Sequence, residues 1–167
     1  MEEQPVLERE AARVVLVDET GRVLLIEMHD PARPDLGWYW FTPGGGREPG
    51  ESQKECAVRE VLEETGHRLD PGDLGPVVHE EVIEYGFEGT LVRQHQVFFV
   101  HTVQAFDVDN HGWDEAEVRS QRNVRWWTRG ELAGTSEAVY PVELLKLIEE
   151  CEGRSPAPRR TEGNMRS

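Results

Sequence analysis

The chain has 167 residues, a length that suits one compact domain with a sizeable core. A formal net charge of −15 disfavours binding to nucleic-acid polymers, whose backbones are also anionic. The two cysteines show neither metal spacing nor a disulfide framework, and no apolar run approaches the length of a membrane span. We therefore expect a cytoplasmic protein without nucleic-acid or membrane partners. Such a protein can still act on a small anion if metal ions bridge the anion to the acidic protein.

The first forty residues predict a hairpin, a loop and a short strand. Apolar, β-branched stretches predict strands over Ala12–Val17 and Val23–Ile26, and the turn residues 19–21 join them. Two prolines in residues 29–37 predict a loop, and the aromatic segment Trp38–Phe41 predicts the next strand.

A glycine run, Gly44–Gly46, predicts a loop with backbone freedom, and a helix follows it. Ser52 is a preferred N-cap residue, the helical pattern covers Gln53–Thr65, and Gly66 is suited to end the helix.

The second half of the chain predicts three strands and two helices. The final helix has Pro141 in its first turn and an apolar face of Leu144, Leu145 and Ile148. The remaining predicted elements are the strands Val77–Tyr85, Leu91–Val103 and Val124–Trp127 and a short helix at Glu131–Leu132.

Three carboxylates, Glu60, Glu63 and Glu64, share one face of the first helix, because residues three and four apart are neighbours on a helical surface. Carboxylates this close repel one another, and a hard divalent cation removes that cost, since Mg²⁺ prefers carboxylate oxygens and water. Such a cation neutralises phosphate charge and activates water. The alternative for an isolated Glu-x-x-Glu-Glu run is a solvated acidic face, so the surrounding residues decide.

Those surrounding residues resemble the Nudix box of the MutT-like hydrolases. The resemblance lies in the segment Gly45–His67, called the box below, and every glycine, glutamate and arginine of the pattern is in place: Gly45, Glu51, Arg59, Glu60, Glu63, Glu64 and Gly66. His67 stands where the pattern has an apolar residue, a departure that concerns packing. Trp40–Gly45 and Arg125–Trp127 also resemble the family.

The resemblance implies a fold and a reaction. The expected fold is of the α/β (α+β) class, a Nudix-type α/β/α sandwich with a mixed β-sheet over residues 10–152, between a flexible N-terminus, 1–9, and a flexible polar tail, 153–167. The expected reaction is Mg²⁺-dependent hydrolysis of a diphosphate (pyrophosphate) linkage in a nucleoside diphosphate linked to another moiety, with Mn²⁺ as an alternative cofactor.

The resemblance also implies roles for the box residues. Glu60 and Glu64 are expected as main metal ligands and Glu63 as a ligand or base, joined by a carbonyl of Gly44 or Gly45. Arg59 is expected to pair with Glu51, and Gly66 to end the helix. A further catalytic glutamate is expected from the loop before the last strand, with Glu117 favoured over Glu115, so the base stays open among Glu63, Glu64 and Glu117.

The candidate substrate-binding residues outside the helix are Trp40, Arg47 and Tyr85. Trp40 offers a flat ring for a base or sugar, and Arg47 lies near the expected phosphate position. Tyr85 lies eighteen residues after His67, a placement that resembles the dinucleoside polyphosphate hydrolases. The small nucleotide-like diphosphate substrate is not determined further, and the protein is expected to be a monomer or a homodimer.

Several alternatives stay open at this point. The substrate can instead be a dinucleoside polyphosphate or an oxidised nucleoside triphosphate. A non-catalytic nucleotide-sensing Nudix module is another class, although such modules usually lose a box glutamate and this chain keeps all of them. An isomerase of the same fold relies on a catalytic cysteine elsewhere in the chain, whereas Cys56 lies within the box helix.

Overall fold

The computed structural model describes residues 5–30, 34–87, 89–109, 113, 115, 118 and 121–154. The strands are β1 (Val6–Val17), β2 (Val23–Met28), β3 (Tyr39–Phe41), β4 (Gly44–Gly46), β5 (His79–Phe87), β6 (Thr90–Thr102), β7 (Gln121–Trp127) and β8 (Val139–Tyr140). The helices are α1 (Gln53–Thr65), α2 (Arg129–Gly134) and α3 (Leu144–Arg154), with 3-10 turns at Pro34–Leu36 and Pro71–Asp73. None of the helices in the described ranges is long and apolar enough to cross a membrane.

The strands form one mixed sheet in the order β5-β6-β1-β2-β3-β8, with β4 paired to β1 and β7 paired to β2. β1 runs parallel to β6 over its full length and antiparallel to β2 and β4. The antiparallel hairpin β5–β6 completes one edge. This mixed sheet agrees with the predicted class.

Apolar side chains cover both faces of the sheet, as alternation along the strands requires. On one face Val15, Phe98 and Trp127 pack against α2 and α3 through Leu132 and Ile148. On the other face Val14, Leu16, Leu24 and Phe99 pack against Cys56, Ala57 and Val61 of α1. The result is the predicted three-layer α/β/α arrangement.

Two predicted boundaries were wrong because long-range pairing extends the elements. β1 begins at Val6, six residues before the predicted strand, since Val6–Glu10 pairs with residues 91–95 of β6. The strand therefore enters the segment 1–9 that was expected to be flexible. The glycine run expected as a loop is the strand β4, hydrogen-bonded to β1. The polar tail from residue 155 onward lies outside the described residues.

The final helix also begins later than predicted. α3 starts at Leu144, and Pro141 lies before it, with its carbonyl accepting a hydrogen bond from the Leu144 amide at 3.0 Å. The expected apolar face is present, because Leu144 and Ile148 are buried. This face holds α3 against the sheet.

Candidate active site

The box helix α1 ends where its local sequence predicts. The Ser52 hydroxyl accepts a hydrogen bond from the Glu55 amide at 3.0 Å, and the Glu55 carboxylate accepts one from the Ser52 amide at 2.8 Å. This capping box satisfies two amides that the first turn leaves unpaired. At the other end Gly66 adopts a φ of 78°, a left-handed conformation that favours glycine. A Cβ there would also crowd Asp109, so two constraints fix this glycine.

Arg59 connects the loop before the helix to the box acids. Its guanidinium donates to both oxygens of Glu51, to the Gly46 carbonyl at 2.9 Å and to Glu60 at 2.7 Å. It also donates to Glu63 at 3.2 Å. The predicted pair with Glu51 is therefore present, and Arg59 in addition offsets the charges of two other acids. The hydrogen bond to Glu51 is the main reason that the pKa of Arg59 lies above its ordinary value.

Glu64 is the most enclosed of the box acids, with 2% of its surface exposed. One oxygen accepts a hydrogen bond from the Gly44 amide at 2.8 Å, and the other accepts one from the Gln121 side chain at 3.0 Å. Burial and then the charge of Glu60 raise the pKa of Glu64 to about 8, against the opposing effects of these hydrogen bonds and of Arg13. The site therefore favours a further positive charge next to this carboxylate.

The strand β4 is built from glycines, and neighbouring functional groups occupy the space that side chains would take. A Cβ on Gly45 would overlap the Glu60 carboxylate, and a Cβ on Gly46 would overlap the Arg9 guanidinium. Since successive strand residues face opposite sides, Glu60 and Arg9 lie on opposite faces of β4. Only backbone atoms separate the box acid from the arginine.

These groups fit a divalent cation of the Mg²⁺ type. Glu60, Glu64 and the carbonyls of Gly44 and Gly45 offer hard oxygen ligands. Gln121 Oε1 is buried beside Glu64 and has no hydrogen-bond partner among the described residues, so the site contains an acceptor without a donor. The three box acids do not converge as closely as predicted, and Arg59 lies between two of them, Glu60 and Glu63.

A tighter group of ligand atoms lies away from the box. Within the described part of the chain, the histidine and carboxylate atoms of His79, Glu81 and Glu143 are the ones that lie within 4.8 Å of one another. His79 and Glu81 are already hydrogen-bonded at 3.2 Å. His79 and Glu81 belong to β5 and Glu143 precedes α3, so this group lies on other elements than the box helix.

A cavity of about 420 Å³ opens beside β4. It is lined by the backbone of Gly45 and by polar and aromatic side chains that include Arg9, Arg13, Tyr39, Phe41, Tyr85 and Gln94. A larger cavity of about 670 Å³ lies elsewhere, at Val17, Val100 and Ile148. The smaller cavity adjoins the box strand and the larger one does not, so the smaller cavity is the candidate substrate site.

The geometry and the family comparison agree. A family model of the NUDIX domain matches residues 7–148. The chain belongs to the Nudix family. The predicted family is thereby confirmed, and so is the fold class.

Two curated relatives and one solved structure illustrate the relation. Diphosphoinositol polyphosphate phosphohydrolase 3-beta of Bos taurus is 31% identical over 132 residues, which cover 75% of this chain and 73% of that protein. The putative 8-oxo-dGTP diphosphatase of Bacillus subtilis (strain 168) is 41% identical over 58 residues, only 35% of each chain. The MutT protein of Methanosarcina mazei Go1 has a TM-score of 0.60 at 21% identity, covers 93% of this chain and 100% of that one, and shows the fold.

The coverage of some relatives is short. The RNA pyrophosphohydrolase of Erythrobacter litoralis (strain HTCC2594) is 41% identical over 66 residues, and this chain spans 38% of its length. The match to the Bacillus subtilis protein likewise covers about a third of that protein. Such short matches do not determine a substrate.

The prediction that Trp40 contacts substrate was wrong. Trp40 is 5% exposed, packs edge-on against Trp127 at 5.0 Å and donates its indole N–H to Glu137 at 3.1 Å. Both faces of the sheet are covered here, so alternation sends Trp40 into the core. Tyr85 does line the cavity beside Gly45.

Arg47 lies next to a neighbouring cavity together with Glu10. Its guanidinium donates to Glu10 at 3.0 Å and to the Glu51 carbonyl at 2.7 Å, so Arg47 already has an acidic partner. A role in phosphate binding stays a prediction.

The structure describes Cys56 but not Glu117, the glutamate predicted as a catalytic base. Glu117 lies outside the described residues, and Glu115 is exposed. Nearby in the sequence, Trp113 donates its indole N–H to the Glu64 carbonyl at 2.8 Å, a contact that holds Trp113 on the Nudix helix. Cys56 is buried, its thiol donates to the Gly45 carbonyl at 3.4 Å, and burial raises its pKa to about 11. These features disfavour a nucleophilic cysteine.

Sequence reasoning missed three residues of the Nudix site. Arg13 is buried behind the cavity, donates to the Thr42 carbonyl at 2.8 Å and lies over the Phe41 ring at 3.9 Å. A lone arginine in the apolar run that forms β1 was a signal for it. Gln121 and Arg9 had no local signal, because only the folded chain brings them to Glu64 and Gly46.

Proposed function

We propose that the protein hydrolyses a diphosphate linkage in a nucleoside diphosphate joined to another group, with a divalent cation, Mg²⁺ or Mn²⁺. The observation that supports this most strongly is the position of Glu60 and Glu64. Both carboxylates lie against the glycine strand β4, whose Gly45 also lines the cavity that contains Arg9 and Arg13. A phosphoryl group in that cavity would be separated from the acids that hold the cation only by the backbone of β4.

The roles of the chain's own residues follow from their contacts. The bound cation supplies charge neutralisation on the phosphoryl oxygens and lowers the pKa of water. Glu60 and Glu64 hold the cation, and Arg59 keeps Glu60 in place through its 2.7 Å hydrogen bond. Both oxygens of Glu64 accept hydrogen bonds that fix its orientation, and the general base stays open among Glu63, Glu64 and Glu117.

The substrate class draws support from the relatives. Proteins similar to this chain are named for action on 8-oxo-dGTP, CTP and diphosphoinositol polyphosphates. All of these carry a phosphoanhydride and several negative charges. Nucleoside triphosphates and dinucleoside polyphosphates therefore belong in the test panel beside ADP-ribose.

A substrate panel with a metal arm tests the proposal. Each substrate is incubated with Mg²⁺, with Mn²⁺ or with EDTA, and the released phosphate species are measured. We expect turnover of at least one substrate that EDTA abolishes, that Glu64→Gln lowers and that Glu80→Gln leaves unchanged, since Glu80 is an exposed acid of β5. Equal turnover in EDTA would refute the metal mechanism. Tight nucleotide binding without turnover on any substrate would favour a sensing module.

A further inference from the structure

The cavity contains two arginines that form no ion pair within contact distance, in a strongly acidic chain. Most arginines of the described ranges have a carboxylate within ion-pair distance: Arg22, Arg47, Arg59, Arg93, Arg122, Arg125 and Arg129. Within the same ranges Arg9, Arg13 and Arg68 make no ion pair, and of these Arg9 and Arg13 line the cavity. The charges of Glu64 and Glu60 act on Arg13 from a longer distance than an ion pair. Their positive charge is therefore available to an anionic ligand.

Neutral side chains hold both arginines in place. Arg9 donates to the Tyr85 hydroxyl at 3.3 Å, and Tyr85 donates to Gln94 at 3.1 Å. Gln94 donates to Gln96 at 3.0 Å, and the same Gln96 oxygen accepts from Arg13 at 3.3 Å. Gln94 and Gln96 are buried, so this network is built into the sheet. Neutral acceptors orient a guanidinium without cancelling its charge, which is an arrangement suited to an anion.

The two arginines lie across β4 from the acid that holds the cation. Arg9 occupies the space above Gly46, and the side chain of Arg13 lies against Gly44. Glu60 occupies the space above Gly45, on the other face. A diphosphate has two phosphoryl groups, and the strand offers each of them a different kind of charge compensation.

We propose that Arg9 and Arg13 form a phosphate subsite that binds without metal and holds the phosphoryl group that water does not attack. The ligand class is a phosphomonoester of a nucleotide, the group that remains after the bridging P–O bond breaks. Arg9 is the accessible member and Arg13 the buried one. The role in hydrolysis rests on the proposed function, whereas binding of the phosphomonoester does not.

Binding of AMP in EDTA, measured by titration calorimetry, tests the subsite directly. AMP and inorganic phosphate should bind to the wild-type protein, and adenosine should bind far more weakly. Arg9→Gln should weaken AMP binding about tenfold, the effect of one lost charge-assisted hydrogen bond. Tyr85→Phe keeps the ring and loses the acceptor for Arg9, so it should weaken binding about threefold by the same reasoning. Arg93→Gln, an exposed arginine of β6 paired with Glu84, is the matched control and should bind AMP normally.

The outcomes separate this subsite from the proposed function. Equal AMP affinity in wild type and Arg9→Gln, or no binding of AMP and phosphate in EDTA, overturns the subsite. If a substrate is hydrolysed with Mg²⁺, Arg9→Gln should raise KM about tenfold with a smaller change in kcat. An unchanged KM overturns the subsite and leaves the hydrolase standing. AMP binding that depends on Arg9, without hydrolysis of any substrate, supports the subsite and refutes the hydrolase.

Discussion

Arg59→Ala decides whether this arginine supports the Nudix box or contacts substrate. The guanidinium reaches Glu51, Glu60, Glu63 and the Gly46 carbonyl, which together occupy its donors. Its side chain is 23% exposed, and those of Glu51 and Glu60 are 15% and 12% exposed. Removal therefore leaves largely enclosed carboxylates that repel one another.

The expected loss of stability follows from this enclosure. Breaking a buried ion pair by removing one partner costs about 3–5 kcal/mol. The cluster keeps some contact with water, so we expect the lower end, about 3 kcal/mol. For a chain of this size that corresponds to a melting temperature lower by about 6–12 °C. The loss should be larger in EDTA than in Mg²⁺, because a bound cation supplies some of the missing positive charge.

Thermal melts in EDTA and in Mg²⁺, together with turnover, measure both quantities. Arg59→Lys keeps the charge and loses the planar fork, so it should fall between wild type and Arg59→Ala. Arg93→Ala is the matched control, because Arg93 also has two carboxylate partners, Glu84 and Glu8, but in exposed positions. Its melting temperature should stay close to that of the wild type. The reasoning fails if Arg59→Ala melts like the wild type while its turnover is lost, since direct contact with substrate then explains the effect better.

Two further predictions concern a metal ligand and a structural turn. Mg²⁺ at a hundredfold excess over Kd should raise the unfolding free energy of the wild type by about 2.7 kcal/mol. Glu64→Gln should lose most of this gain in stability. If the variant kept the full gain, the metal ligand would have to be another residue. Asp18→Asn should lower stability at neutral pH by about 1–3 kcal/mol, because the buried carboxylate accepts hydrogen bonds from Thr20 and Arg22. Burial raises the pKa of Asp18, but these hydrogen bonds outweigh it and the folded pKa is lowered. Asp18 therefore stabilises the fold above its unfolded pKa, and this stabilisation is lost as pH falls through its folded pKa. Thermal melts at acid pH measure this loss. If the wild type stayed more stable than Asp18→Asn below the folded pKa, the assignment would be contradicted.

Local signals in the sequence were sufficient for the box helix. Ser52, Glu55 and Gly66 set its two ends, and these residues act on backbone groups within one helical turn. The pair of Arg59 with Glu51 was also accessible, because both belong to the recurrent Nudix pattern. Prediction succeeded for this helix because cause and effect lie within a few residues.

Long-range contacts explain what the sequence could not show. Val6–Glu10 is a strand only because β6 lies beside it, and a run of three glycines pairs only because β1 is adjacent. Trp40 is buried because α2, α3 and Trp127 cover its face of the sheet. The same holds for Gln121, which approaches Glu64 across 57 residues of chain.

The glycine strand β4 has Glu60 on one face and Arg9 on the other, and one substitution for each face can separate the roles of these two residues. Neither Gly45 nor Gly46 has a positive φ, so alanine introduces no backbone strain at either position. The methyl group of Gly45→Ala would displace the Glu60 carboxylate, which Arg59 holds from the other side. The methyl group of Gly46→Ala would instead displace the flexible end of Arg9.

Each of the two variants should therefore lose a different property, either stabilisation by Mg²⁺ or AMP binding. Gly45→Ala should lose most of the Mg²⁺-dependent gain in melting temperature and lower turnover, yet bind AMP in EDTA like the wild type. Gly46→Ala should keep the Mg²⁺ gain and weaken AMP binding in EDTA about tenfold, as expected for one lost charge-assisted hydrogen bond. Each variant serves as the control of the other, because both add one methyl group to the same strand. If both variants lost both properties, the glycines would serve only the packing of β4 against β1, and the division of the diphosphate between cation and arginines would be wrong.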